Sequence, residues 1–142
     1  MRVILLLLAV FHVAISTVSH FSFHYKLSCN IPLVYKYSIQ FIEEDTITLP
    51  EYITPNVVIV TRGVSEKIIN GQQDGDEWLS MGYKIKVFIV HNCTSVGNGQ
   101  LYQLNLFVNE FCTIGMNCKM YFEEDLTNRG GNYAIGAKVE IY

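Results

Sequence analysis

Tyr35-Lys36-Tyr37-Ser38-Ile39-Gln40-Phe41-Ile42 is the stretch whose reading decides the fold. Tyr35, Tyr37, Ile39 and Phe41 fall on one face at a period of two, with Lys36, Ser38 and Gln40 between them. Side chains alternate across a strand but recur every 3.6 residues on a helix, so this pattern describes a half-buried strand. Working outward, Phe21-Ser22-Phe23-His24-Tyr25-Lys26-Leu27 keeps its aromatics in phase and predicts the first strand. Tyr83 to Val90 begins by alternating and ends continuously apolar, and Leu101 to Val108 holds Leu104 and Leu106 in phase with Tyr102. Val57 to Thr61 is a short, uniformly apolar run, as expected of a strand with both faces covered. Lys119 to Phe122 and Tyr133 to Tyr142 complete the set. Between these runs stand the breakers Leu49-Pro50, Pro55-Asn56, Asn70-Gly71, Asp74-Gly75, Gly97-Asn98-Gly99 and Arg129-Gly130-Gly131-Asn132. Asp76 to Met81 has room for one helical turn. About seven to eight short strands spaced by turns predict an all-β fold, an antiparallel β-sandwich.

The chain has 142 residues, the length of one domain. Half its residues are hydrophobic, which excludes intrinsic disorder as the resting state. Ten Lys and Arg against 13 Asp and Glu leave a net charge of −3, and the ten basic residues form no run. A phosphate-binding surface needs clustered basic side chains, so nucleic acid is not an expected partner.

The first segment reads as separate from that domain. Met1-Arg2 gives a positive start, Val3 to Ile15 is nearly all apolar, and Ser16, Thr17 and Ser19 supply small residues for cleavage. This is the layout of a secretory signal peptide, and its apolar run is shorter than the roughly 20 residues of a membrane span. Cuts after Ser16 and after Ser19 both satisfy the small-residue rule. The expected division is residues 1–19 as leader and 20–142 as the mature domain, with no later transmembrane segment and a secreted, extracellular location.

In an oxidising compartment the even set Cys29, Cys93, Cys112 and Cys118 implies two disulfides, with three connectivities open. The spacing does not match a zinc site, so no metal or cofactor is expected. Glu43-Glu44-Asp45 and Glu123-Glu124-Asp125 sit at strand-to-loop transitions and read first as solvated turns, with calcium as a weaker alternative. Asp74-Gly75-Asp76 lacks the remaining ligands of a calcium loop. No nucleophile elbow, phosphate loop or GxGxxG occurs, and His91 reads as a strand-end histidine hydrogen-bonded to backbone. A non-enzymatic protein is therefore expected. Asn92-Cys93-Thr94 makes Asn92 a glycosylation candidate.

Several of these residues also fall into a familiar order. A strand ends in Cys29-Asn30, another in Phe41-Ile42-Glu43-Glu44-Asp45-Thr46, an apolar strand reaches Thr61, and His91-Asn92-Cys93 closes a further one. The chain finishes Asn132-Tyr133-Ala134-Ile135-Gly136-Ala137-Lys138-Val139-Glu140-Ile141. In that order the sequence resembles a divergent member of the nematode transthyretin-like family. Thr61-Arg62-Gly63 departs from the family's pattern, and Leu101 to Cys112 looks like a hairpin-sized insertion. The resemblance implies a prealbumin-like β-sandwich acting outside the cell as a carrier, bridging or signalling protein. It also implies pairing of Cys93 with Cys118 and of Cys29 with Cys112.

Two functions follow as expectations. The first is a secreted factor that binds a lipid, a small apolar ligand or a cell-surface partner. The second is a secreted inhibitor or effector that inserts a loop or edge strand into a partner protein. The ligand loop is expected at Asp74 to Met81, where alternation fails, with Asp74, Asp76 and the sole tryptophan, Trp78, as its candidates. Trp78 there either plugs the sandwich end or meets a partner.

Overall fold

The alternation that begins at Phe21 builds the centre of the molecule. A computed structural model describes residues 17–44, 49–75, 82–97 and 99–142. Its strands, in chain order, are β1 (Thr17–Ser28), β2 (Val34–Glu43), β3 (Glu51–Tyr52), β4 (Val57–Arg62) and β5 (Val64–Gly75), followed by β6 (Gly82–His91), β7 (Tyr102–Thr113), β8 (Cys118–Asp125), β9 (Gly131–Ile135) and β10 (Lys138–Ile141). Among the described residues there is no helix. The fold is all-β.

One sheet has the order β10-β8-β1-β5; the other runs β3-β2-β6-β7-β9, with β4 also paired to β2. Phe21, Phe23, Tyr25 and Leu27 of β1 face Tyr35, Tyr37, Ile39 and Phe41 of β2 in a single buried core. Phe23 stacks on Phe41 across the sheets, and Tyr25 meets Tyr37 edge-on. Such aromatic pairs add roughly 0.5–1.5 kcal/mol each beyond the area they bury. The buried hydroxyls are satisfied as a chain, Tyr25 with Tyr37 at 3.3 Å and Tyr37 with Ser65 at 2.7 Å. Burial holds the Tyr25 phenol well above its ordinary range, and also pushes Tyr35 up to about 12.

Two pairings depart from an antiparallel sandwich. β1 and β8 run parallel, from Phe21 beside Cys118 to Ser28 beside Asp125, and β7 and β9 run parallel from Leu104 beside Gly131. Both sheets are therefore mixed. Alternation reports which face of a strand is buried and carries no information about the direction of its neighbour.

The chain changes sheets at both sides of the stack. Gly63, at φ +66°, carries it from β4 in one sheet to β5 in the other, and Gly136-Ala137 carries it from β9 to β10. The Tyr133 to Tyr142 run is thus two strands. Asn70-Gly71 is not a turn but lies within β5. A Cβ on Gly71 would stand 2.5 Å from the Ile53 carbonyl, the group that accepts the Gln72 N–H. Glycine is there for close backbone approach. Leu101 to Cys112 is likewise no inserted hairpin: most of it forms β7, between β6 and β9.

Val57 to Thr61 proves to be an edge strand rather than a doubly covered one. β4 pairs β2 through Val34 to Ile39 on the side away from β6, leaving Val58 and Val60 exposed. Uniform apolarity cannot distinguish a covered strand from an unguarded edge.

The disulfides are Cys29–Cys93 and Cys112–Cys118, with Cα separations of 5.9 and 6.2 Å. This corrects the pairing of Cys93 with Cys118 and of Cys29 with Cys112. Cys118 sits beside Phe21, eight residues along β1 from Cys29, which is roughly 26 Å at about 3.3 Å per residue. Each bridge closes one end of the two-sheet stack.

Candidate functional site

The end that carries the expected ligand loop is rooted by β5 and β6. β5 finishes at Gly75 beside Thr17, and β6 begins at Gly82 beside Thr113, next to the Cys112–Cys118 bridge. Asp74 is exposed and stands opposite Val18. Asp76 and Trp78 lie outside the described residues. Beside this root opens a cleft of about 330 Å³ lined by Glu51, Gln72, Gln73 and Asp74. The Gln73 amide donates to the Glu51 carboxylate, tying β5 to β3, and Tyr83 donates to the Gln73 carbonyl at 3.5 Å. Two carboxylates and two amides make a polar cleft that suits hydrogen-bonding groups better than an apolar ligand. Glu51, Gln72 and Gln73 are not legible in the sequence, because Asn70-Gly71 reads as a turn. Ile69 is the one large apolar side chain at an inward position between Ser65 and Gln73, so no alternation marks the strand.

The opposite end is knitted shut. Asp125 accepts from the Asn30 side chain at 2.7 Å, from the Thr127 N–H at 3.0 Å and from the Thr127 hydroxyl at 2.6 Å. Asn128, at φ +54°, accepts from the Ser95 N–H and donates its own N–H to the Cys93 carbonyl. Glu124 pairs with Arg129, and Glu123 with Lys26 at 3.2 Å. This acidic cluster is therefore the end of β8 and not a turn, with Glu124 and Asp125 partnered and Glu123 in solvent beside Lys26. In the other cluster Glu44 pairs with Lys86 at 3.8 Å and Glu43 is buried, while Asp45 lies outside the described residues. Among the described residues no three His, Cys, Asp or Glu side chains gather as metal ligands.

His91 is fully buried at the end of β6. Its Nε2–H donates to the Arg129 carbonyl at 2.7 Å and its Nδ1 accepts the Cys93 N–H at 3.2 Å. A backbone N–H can only donate, so the ring is the neutral Nε2–H tautomer. Burial holds its pKa below the ordinary histidine value, against the raising effect of the Arg129 bond. Asn92 accepts the Lys36 N–H on its side-chain oxygen at 2.7 Å. Cys93 is locked in its bridge, and the buried Thr94 hydroxyl accepts the Val96 N–H. Any sugar must reach Asn92 before this loop is set, since the transferring enzyme needs access to the triplet.

The ends thus differ in kind: one is tied by side chains into a plug, and the other opens a polar cleft at a loop root. Proteins of this class are small, disulfide-closed, all-β scaffolds. The chain belongs to the DUF870 family, described as Caenorhabditis elegans protein of unknown function, whose model matches residues 24–135. The match spans all four cysteines, Asp74, Asn92 and β4. No curated protein and no solved structure matches the chain significantly.

Proposed function

We propose that this protein is a secreted, non-enzymatic binding or bridging factor of transthyretin-like kind. The cleft end presents its recognition surface to a lipid headgroup or a cell-surface partner. The observation that carries this reading is the asymmetry of the two ends, one sealed by Asp125, Asn128 and the Cys29–Cys93 bridge, the other open beside Asp74. Two disulfides among the described residues, with no free cysteine and no helix fit to cross a membrane, are compatible with an extracellular site of action. The transthyretin-like part rests on the order of strand-end motifs, since the cysteine pairing that the resemblance implied is not found. The polar lining of the cleft favours a headgroup or protein epitope over a small apolar molecule.

Flotation with neutral and anionic vesicles tests the reading, together with capture of surface proteins by the immobilised chain. Saturable capture in either arm that is lost in Asp74→Ala or Trp78→Ala, at an unchanged melting temperature, supports it. If Trp78→Ala instead costs about 3–5 kcal/mol of stability, the figure for emptying a packed aromatic site, Trp78 is a core plug and not a binding residue. Absence of capture in both arms overturns the proposal.

A further inference from the structure

Exposed sheet edges are commonly guarded by charge, glycine or brevity, because unpaired backbone groups invite another strand. Three of the longer edges here follow that rule. β5 carries Glu66 and Lys67, β9 opens with Gly131-Asn132, and β10 alternates Lys138 with Glu140. β4 does not. From Val57 to Thr61 it has neither charge nor glycine nor proline, and it keeps Val58 at 52% and Val60 at 65% exposure. Among the described residues its far side pairs with no strand. Pro55 and Gly63 delimit it, so any added strand meets a run of fixed length.

We propose that the β4 edge pairs antiparallel with β4 of a second copy of this chain, across a two-fold axis at Ile59, to form a continuous sheet. A two-fold perpendicular to the sheet keeps like faces together, so only registers pairing odd with odd and even with even numbers are allowed. Centring on Ile59 sets Val58 against the partner's Val60, Val57 against the partner's Thr61 and Asn56 against the partner's Arg62. The outer face then reads Ser38, Val58, the partner's Val60 and the partner's Lys36, because Ser38 and Lys36 flank these valines on β2. β-branched residues meet at the seam and no like charges stand opposite. Centring one residue later would set Val58 against the partner's Arg62 and leave a single valine pair, Val60 with the partner's Val60. A seam of five β4 residues from each copy, Val57 to Thr61, is small, so the dimer is a reversible one.

Sedimentation of the disulfide-bonded protein over a dilution series to about 1 mM should show a monomer–dimer equilibrium. V58K/V60K sets Lys against Lys at both valine pairs and should weaken the dimer at least about tenfold; V58K/V60E sets Lys against Glu and should restore it to within about threefold. Both sites are exposed, so circular dichroism should be unchanged. As a readout without added charge, Ile59→Cys places two thiols on the axis at a Cα spacing of roughly 4.5–5.5 Å, within disulfide range, and should yield a covalent dimer on oxidation. A wild-type protein that stays monomeric throughout overturns the proposal and leaves the edge for a different partner. A V58K/V60E variant as monomeric as V58K/V60K overturns the register and the seam with it.

Discussion

The rings of Phe23 and Phe41 lie nearly parallel with their centroids 3.8 Å apart, one contributed by each sheet. Both are fully buried. Phe23→Ala or Phe41→Ala should each cost about 3–5 kcal/mol in denaturant unfolding. The double variant should cost less than the sum, by about 0.5–1.5 kcal/mol, because the stacking contact is lost only once. Strict additivity would mean that the two rings are packed independently.

The two disulfides should contribute unequally. Their sequence separations are 64 and 6 residues. In the chain-entropy model C29A/C93A should lose about 4 kcal/mol and C112A/C118A about 2 kcal/mol. Urea midpoints of the two variants, with oxidised wild type as reference, give the comparison. Equal losses would point to strain or residual unfolded structure in place of loop entropy.

Acid should weaken the fold through His91. Its native pKa is held below the ordinary value, so above about pH 6.5 the ring is neutral in both states and pH has no effect. As pH falls below that point the unfolded chain binds a proton that the native ring refuses. Stability then declines, by at most about 1.4 kcal/mol per pH unit, and levels off once pH passes below the native pKa. Urea midpoints between pH 7 and pH 4 should show this limb in wild type and a shallower one in His91→Gln. A limb unchanged in the variant would assign the effect to other groups.

Ser19 is buried within β1, and its hydroxyl accepts the Gly115 N–H at 2.8 Å. A cut after Ser19 would remove the first three residues of β1, which pair with Gln73, Asp74 and Gly75. A cut after Ser16 leaves the strand whole. N-terminal sequencing of secreted material should therefore begin at Thr17, and a start at His20 would refute this.

Legibility followed burial. In β1, β2 and β6 one face lines the core, and alternation announced each of them. β5 was missed because Lys67, Ile68 and Asn70 lie on a solvated edge, where no buried face imposes a pattern and Asn70-Gly71 imitates a turn. The parallel pairings could not be read because they join strands far apart in sequence, such as Phe21 and Cys118. Of the residues lining the cleft, Asp74 is also a ligand-loop candidate in the sequence. Glu51 and Gln73 are not, since what brings them together is β5 running on past Gly71 to the level of β3.

β1 lies between β5 and β8, so the first strand made is enclosed by one that is made almost a hundred residues later. During synthesis its β5 flank can be filled early, and Cys93 emerges in time to capture Cys29 while the β8 flank is still open. Cys118 is made last, and its bridge to Cys112 ties β8 to β7 of the other sheet. The order in which cysteines leave the ribosome thus matches the order in which the sheet can close, and the open flank of β1 is the surface a chaperone would have to shield in the interval.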